Sequence, residues 1–149
     1  AFLLNRSSDL LIFPNEEGIT LTLQSALKDA GLVPGGVDFI SAHATATKMG
    51  DVIEAQAIRK VFGERTPMVS GLKSYMGHTM GSCGVIETIL SLYMMAEGFV
   101  APTLNLDAVD PRCAMLRHTP GLTDYPLKVV GVQNFAFGGV NTCLLIGKV

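Results

Sequence analysis

The stretch Val37–Gly63, VDFISAHATATKMGDVIEAQAIRKVFG, decides the fold class of this chain. Its first five residues, Val37–Ser41, favour a β-strand, which would place His43 just beyond the strand's end. Asp51, with Glu54 three residues later, is the pattern of a capping box, and the final glycine of the stretch is a typical helix terminator. The stretch therefore predicts a strand, a histidine-bearing loop and a helix in succession.

Helical and extended patterns continue to alternate on both sides of this stretch. Apolar residues at helical spacing predict a helix over Thr20–Ala30, and a strand over Pro67–Leu72 precedes a second helical pattern. That pattern, Ser82–Ala96, is apolar on nearly all sides, so we expect a central, buried helix. The β-rich segments Val129–Phe135 and Thr142–Lys148 predict an antiparallel hairpin. These elements indicate an α/β fold, a mixed β-sheet with helices on its faces and a C-terminal hairpin.

The composition indicates one domain with a partly covered surface. A chain of 149 residues predicts a single domain spanning residues 1–149. Only 16% of the residues are charged, against about 25% in a typical domain, which favours a partner-covered face. The net charge of −2 argues against nucleic-acid binding, and no apolar run reaches the ~20 residues of a membrane span.

The cysteine pattern and the N-terminal residues indicate the cellular compartment and whether a metal or nucleotide is bound. Three widely spaced cysteines without a Cys-x-x-Cys pair favour a reducing, cytoplasmic setting. Cys113, His118 and Cys143 lack the paired spacing of a metal site, and no glycine run fits a phosphate loop, so we expect neither metal nor nucleotide cofactor. The beginning at Ala1 does not resemble a signal peptide and is expected to be an internal position of a longer protein.

Two histidines follow predicted strands and are flanked by small residues. His43 lies in SAHATATKMGD at 41–51, and His78 lies in GLKSYMGHTMGSCG at 71–84. Neutral imidazoles in one site can donate hydrogen bonds or carry protons near pH 7. The spacing by itself fits equally well two ordinary, partly buried histidines, so both interpretations remain open at this point.

Three motifs in order resemble those of one enzyme family. HATATKMGD at 43–51 is similar to His-Gly-Thr-x-Thr-x-x-Gly-Asp, and KSYMGHTMGSCGVIE at 73–87 to Lys-Ser-x-x-Gly-His-x-x-Gly-x-x-Gly-x-x-Glu. QNFAFGGVN at 133–141 is similar to Asn-Ser-Phe-Gly-Phe-Gly-Gly-x-Asn, and PTLNLD at 102–107 fits the connecting segment. The chain is thereby identified as a member of the β-ketoacyl-(acyl-carrier-protein) synthase family of the thiolase-like superfamily, and resembles its C-terminal half.

The resemblance implies a reaction and a set of partners. The reaction is a decarboxylative Claisen condensation of an acyl thioester with malonyl-acyl carrier protein, in fatty-acid or polyketide synthesis. The implied partners are acyl carrier protein, which bears the substrate on phosphopantetheine, and the N-terminal half of the synthase, in the same or a separate chain. That half would supply the nucleophilic cysteine, so residues 1–149 are expected to be inactive alone. A homodimer or heterodimer without a further cofactor is implied.

The resemblance also assigns catalytic roles. His43 and His78 become the active-site pair that stabilises the enolate, where one well-placed donor contributes about 3–4 kcal/mol. Lys73 and Glu87 match the charged residues that organise the site around the second histidine. The alternative for Lys73 and Glu87 is an unrelated surface cation and a carboxylate on a helix face.

Substrate binding is implied at two loops. Phe137 matches the position whose backbone amide helps to bind the thioester oxygen and whose ring gates the acyl pocket. The substrate-binding and pantetheine-binding positions are Thr45, Thr47, Phe135, Gly138 and Gly139. The alternatives are a β-favouring loop for the threonines and a plain hairpin with a core phenylalanine for Phe137.

Several residues depart from the family pattern. Ala44, Ala46 and Ala136 stand where the family commonly has glycine, and alanine tolerates positive φ poorly, so shifted or stiffer loops are expected. Cys83 aligns with a small residue, although a position at a helix N-terminus would also suit a nucleophilic thiol. Cys113 and Cys143 are interpreted as structural.

Three other interpretations stay open. A coenzyme A thiolase would show Cys-x-Gly-Gly near the end, where this chain has Phe137-Gly138-Gly139. A non-catalytic, chain-length-factor type of subunit would shape the acyl pocket for an active partner. A free-standing half domain would pair with a separate subunit. For the isolated half, an exposed apolar face is expected, because the surface that meets the other half is uncovered.

Overall fold

The computed structural model describes residues 15–148. The helices are α1 (Glu16–Asp29), α2 (Gly50–Phe62), α3 (Lys73–Met76) and α4 (Cys83–Glu97). The strands are β1 (Phe39–Ser41), β2 (Met68–Ser70), β3 (Phe99–Val100), β4 (Arg117–His118), β5 (Thr123–Asp124), β6 (Val129–Ala136) and β7 (Val140–Gly147). Short 3₁₀ turns cover Pro34–Gly36, Met80–Ser82 and Phe137–Gly139.

One mixed sheet organises the described chain. Its strand order is β4-β2-β1-β6-β7, and β3 pairs with β5 in a separate ribbon. The strand β1 is parallel to β2 and to β6, with Ser41 opposite Ser70 and Val132. The strands β6 and β7 run antiparallel from Val129 opposite Gly147 to Ala136 opposite Val140. The predicted hairpin and mixed sheet are confirmed.

Helices pack on both faces of the sheet because successive strand residues point to opposite sides. Ile40 belongs to an apolar cluster with residues of α1 and α2. Its neighbour Phe39 belongs to a second cluster with Met94 and Met95 of α4. The predicted arrangement of helices on the faces of the sheet is confirmed.

The first helix begins earlier than the periodicity indicates. Asn15 caps α1, since its side chain accepts hydrogen bonds from the backbone amides of Glu17 and Gly18. The helix ends at Asp29, and Gly31 follows with a φ of 64°. An apolar pattern finds the buried face but not the polar cap that extends the helix by a turn.

The capping-box prediction for α2 is wrong. Met49 is the N-cap residue and its side chain makes no capping hydrogen bond, while the Thr47 hydroxyl accepts from the Gly50 amide. The Glu54 carboxylate lies buried and accepts from the backbone amides of His43 and Ala44 instead. Glu54 lies on the buried side of α2 with Ala57 and Ile58, so its carboxylate is close to the loop amides and satisfies them. The predicted end of α2 at Gly63, with a φ of 67°, is confirmed.

Helix α4 is not buried all round within the described residues. One side buries Cys83, Glu87, Ser91, Met94 and Met95. The opposite side, the α4 face, consists of the exposed residues Val85, Ile89, Leu92 and Tyr93. Ile89 is 60% exposed in the middle of an apolar helix, so the α4 face is an exposed apolar surface. Among residues 15–148, no helix has both the length and the apolar character that crossing a bilayer requires.

Candidate active site

The two histidine loops meet at one edge of the sheet. The strands β1 and β2 are parallel neighbours, so their carboxyl ends lie side by side. His43 stands two residues beyond β1, and His78 follows the short helix α3 beyond β2. The two imidazole rings are perpendicular, with centroids 5.5 Å apart. The two histidines that the sequence predicts for one site therefore lie next to each other at this edge.

A cavity of about 560 Å³ opens at this edge. The strand β6, parallel to β1, delivers Phe135, whose ring centroid is 5.3 Å from that of His43. The predicted site residues that line the cavity are His43, Thr45, Thr47, His78, Phe135, Gly138 and Gly139. The Phe137 side chain lies outside the part of the chain that the structure describes, although its backbone is in the turn Phe137–Gly139. That turn has φ values of 78° at Gly138 and 75° at Gly139, which favour glycine.

Lys73 and Glu87 form a buried ion pair. Lys73 Nζ lies 2.6 Å from Glu87 Oε1, and the two side chains are 4% and 0% exposed. Neither residue is therefore a surface group. Removing one partner of such a pair leaves a buried charge without compensation, which costs about 3–5 kcal/mol. The pair supplies a fixed positive charge and a fixed carboxylate next to His43.

Asn134 joins this ion pair to His43. Its side-chain Nδ2 donates to Glu87 Oε2 at 2.7 Å, and its Oδ1 accepts from Lys73 Nζ at 3.4 Å. The same Oδ1 lies 3.4 Å from His43 Nδ1. Sequence reasoning missed Asn134 as a site residue. The signal available for it was the polar pair Gln133 and Asn134 in an otherwise apolar strand, immediately before the phenylalanine that reaches the cavity.

His43 is a neutral imidazole at physiological pH. Partial burial lowers its pKa from 6.5 to about 4, and the positive charge of Lys73 acts in the same direction. The hydrogen bond with Asn134 raises the pKa and opposes these two effects only in part. A neutral imidazole has one N–H donor and one nitrogen lone pair, so its function depends on which nitrogen carries the proton.

Glu54 anchors the His43 loop and was missed as a site residue. Its carboxylate accepts from the His43 amide at 2.8 Å, the Ala44 amide at 2.9 Å and Gln133 Nε2 at 3.0 Å. Burial raises the pKa of Glu54 from 4.5 to about 7, although the two amides lower it in part. The sequence signal for a buried Glu54 was its spacing. It stands three and four residues before Ala57 and Ile58, which puts all three side chains on the apolar face of α2.

Two alanines in the His43 loop adopt a left-handed backbone. Ala44 has a φ of 35° and Ala46 a φ of 59°, so the loop keeps a conformation that favours glycine. Such a conformation costs a residue with a Cβ about 1–2 kcal/mol. Ala136 is different, because its φ of −125° is ordinary extended backbone. The expected strain is present at the first two alanines and not at the third.

His78 and Cys83 lie in contact at the start of α4. The backbone amide of Met80 donates to His78 Nδ1 at 3.1 Å, and Cys83 Sγ is 3.1 Å from the same nitrogen. Cys83 is only 1% exposed and does not line the cavity. The alternative of a nucleophilic Cys83 is therefore not favoured by its position. Within residues 15–148, no group of three or more His, Cys, Asp or Glu side chains is arranged to hold a metal ion.

Comparisons with known proteins identify the family of this chain. Residues 4–107 match the family model described as the beta-ketoacyl synthase C-terminal domain. The chain is 37% identical over 138 residues to 3-oxoacyl-[acyl-carrier-protein] synthase 1 of Escherichia coli (strain K12), covering 93% of this chain and 33% of that protein. It therefore spans about one third of the length of this relative.

Solved structures give the same result for the fold. A beta-ketoacyl synthase from Burkholderia phymatum STM815 is 42% identical with a TM-score of 0.89, over 93% of this chain and 34% of that one. The ishigamide ketosynthase/chain length factor is 34% identical with a TM-score of 0.91, over 96% and 36%. The predicted thiolase-like α/β half domain is confirmed. The chain belongs to the β-ketoacyl synthase family, whose C-terminal domain it matches.

Proposed function

We propose that this chain is the C-terminal half of a β-ketoacyl-acyl carrier protein synthase that catalyses decarboxylative Claisen condensation. The observation that carries the proposal is the pair of perpendicular imidazoles, 5.5 Å apart, on the wall of one cavity. The buried ion pair between Lys73 and Glu87 is connected to His43 through the Asn134 side chain. An imidazole N–H donor and a fixed positive charge in such a site stabilise negative charge that develops on a thioester oxygen or an enolate, and a second imidazole can donate or accept a hydrogen bond.

The remaining site residues have roles on the substrate side. Thr45 and Thr47, with hydroxyl oxygens 3.3 Å apart in the cavity wall, would bind the phosphopantetheine arm. Phe135, Gly138 and Gly139 would bind the acyl thioester, and the amide of Phe137 would contact its oxygen. Carrier protein is the proposed partner, since the name of the Escherichia coli relative contains acyl-carrier-protein. No further cofactor is needed for this reaction.

The nucleophile is proposed to come from an N-terminal half, in the same or another chain. We propose that the α4 face packs against that half, since a row of exposed apolar side chains on a central helix is otherwise costly in water. Residues 1–149 then form a single domain, active only when the second half completes the site. A homodimer or heterodimer is the proposed assembly.

The test is condensation by the complete gene product that contains this chain. An acyl thioester and malonyl-acyl carrier protein are supplied, and 3-oxoacyl product and released carbon dioxide are measured. His43→Ala and His78→Ala should each lower kcat by about 10²-fold or more, while His118→Ala, a histidine outside the cavity, should retain activity. Full activity of both cavity variants would refute the proposal.

A chain-length-factor type of subunit is the second candidate. The observation that favours it is the similarity to the ishigamide ketosynthase/chain length factor. Such a subunit would support condensation only when mixed with an active ketosynthase, and its own His43→Ala variant would leave that activity intact. The same assay therefore separates the two functions. The presence of both histidines with the Lys73–Glu87 pair supports the catalytic one.

A further inference from the structure

The side chain that contacts His43 has a defined orientation. Asn134 lies between an ammonium group, which only donates hydrogen bonds, and a carboxylate, which accepts them. Its oxygen must therefore face Lys73 Nζ, and its nitrogen must face Glu87 Oε2, 2.7 Å away. The reverse orientation would put the amide NH₂ against an ammonium. The atom that faces His43 Nδ1 is thus the Asn134 oxygen.

An oxygen acceptor next to Nδ1 selects one form of the ring. His43 is neutral, since burial and Lys73 lower its pKa to about 4, and so it carries a single N–H. A proton on Nδ1 makes a hydrogen bond to Asn134 Oδ1, whereas a proton on Nε2 would bring two lone pairs together at 3.4 Å. The contact therefore favours the Nδ1–H form, with an unprotonated Nε2 at the other edge of the ring.

The Nδ1 atom of His78 faces a hydrogen-bond donor, whereas that of His43 faces an acceptor. The backbone amide of Met80 can only donate, and it points at His78 Nδ1 from 3.1 Å. Nδ1 is therefore the acceptor of that ring when it is neutral, and the proton is on Nε2. Cys83 Sγ, which lies 3.1 Å from His78 Nδ1, receives a hydrogen bond from the Thr79 hydroxyl at 3.3 Å.

We propose that Asn134 is a positioning residue that holds His43 as the Nδ1–H tautomer, so that His43 presents a lone pair and His78 presents an N–H at their Nε2 atoms. The two histidines then have different functions: His78 donates to negative charge in the cavity, and His43 accepts a hydrogen bond from a group bound there. This inference rests on the proposed function for its catalytic meaning, but the tautomers are a property of the chain itself. Asn134 stands where the family pattern has serine.

The experiment reads the tautomers directly. The complete gene product is labelled with ¹⁵N-histidine, and the ring nitrogens are observed by NMR at neutral pH, with His→Gln variants for assignment. His43 should show a protonated Nδ1 and an unprotonated Nε2, and His78 the reverse. His118 serves as an internal reference, because its Nε2 lies 2.9 Å from the Cys113 carbonyl and must be protonated there.

Two variants test the role of Asn134. Asn134→Leu should move the His43 signals toward the Nε2–H tautomer and leave those of His78 unchanged. Asn141→Leu is the matched control, because it makes the same substitution at another asparagine of the cavity wall. It should leave the ¹⁵N signals of His43 unchanged. Asn134→Ser, a smaller change, should move the signals in the same direction and guards against a misfolded leucine variant.

The outcomes separate this inference from the proposed function. A protonated Nε2 of His43 in the unmodified protein, or unchanged His43 signals in both folded Asn134 variants, overturns the inference even if condensation is observed. The predicted tautomers without any condensing activity would refute the proposed function and leave the inference standing. If both hold, Asn134→Leu should lower kcat at least about tenfold, with KM for malonyl-acyl carrier protein nearly unchanged.

Discussion

Replacing Glu54 by glutamine tests the electrostatics of the His43 loop. The pKa of Glu54 is about 7 in the folded chain, against 4.5 for the free side chain. The folded state therefore binds more protons than the unfolded state between these values, and unfolding free energy is lost as the pH rises through this window. At about 1.4 kcal/mol per pH unit, the loss is roughly 3 kcal/mol.

Glutamine cannot titrate, so this loss should be absent from Glu54→Gln. At pH 4.5 the folded chain holds Glu54 as the neutral acid, whose hydroxyl oxygen can still accept a weak hydrogen bond. The NH₂ group of glutamine cannot accept, which leaves one of the amides of His43 and Ala44 without a partner, at about 1–3 kcal/mol. We therefore expect the variant to be less stable than the unmodified protein by about 1–3 kcal/mol at pH 4.5. The difference should shrink or reverse by pH 7.5.

The assay is urea unfolding of the complete gene product at several pH values between 4.5 and 7.5. His43 acts in the opposite direction, because its lowered pKa makes stability rise as pH rises from about 4 to 6.5. Subtracting the two curves removes the His43 contribution, which both proteins share. Glu97→Gln, an exposed glutamate at the end of α4, is the matched control and should parallel the unmodified protein. A stability difference for Glu54→Gln that is constant with pH would refute the reasoning.

Three further perturbations test other parts of the chain. Ala46→Gly should stabilise the protein by about 0.5 kcal/mol, because relief of the positive φ exceeds the added entropy of the unfolded chain. Ala136→Gly, at an extended position, should destabilise it by about 0.5–1 kcal/mol, and the same sign for both in thermal unfolding would contradict the strain argument. Lys73→Met should destabilise the protein by about 3–5 kcal/mol in urea, since it leaves a buried carboxylate unpaired; a loss below about 1 kcal/mol would mean that the pair is hydrated. Ile89→Asp on the α4 face should abolish assembly with the N-terminal half, measured by co-purification or size-exclusion chromatography, whereas Leu122→Asp, at an isolated site that is 71% exposed, should not. Normal assembly of the Ile89 variant would place the partner elsewhere.

The sequence predicted most of the fold because its signals are local. The strand before His43, the end of α2 at Gly63 and the antiparallel hairpin all rest on residue type and spacing within a few positions. The motifs around His43 and His78 identified the family for a similar reason, since glycines, histidines and threonines at fixed spacing specify a loop. The structure supports these predictions with only small shifts of the element ends.

The hydrogen-bond partners required the fold. Glu54 fits a capping box by its spacing, yet its carboxylate binds the amides of a loop eleven residues away in the chain. Burial of α4 was also misjudged, because an apolar helix does not reveal whether its covering residues are in the same chain. A sequence pattern shows which polar or apolar side chains need a hydrogen-bond or packing partner. It does not show which residue of the folded chain lies close enough to be that partner.

The sequence by itself determined the α/β class and the family, and it singled out His43 and His78 as the histidines proposed for the active site. Only the tertiary structure decided that Asn134 connects the buried Lys73–Glu87 pair to His43, and that the two imidazoles have different donors and acceptors around them. The physical reason is distance along the chain. Asn134 is 91 residues from His43, and only the parallel pairing of β1 with β6 brings their side chains to 3.4 Å.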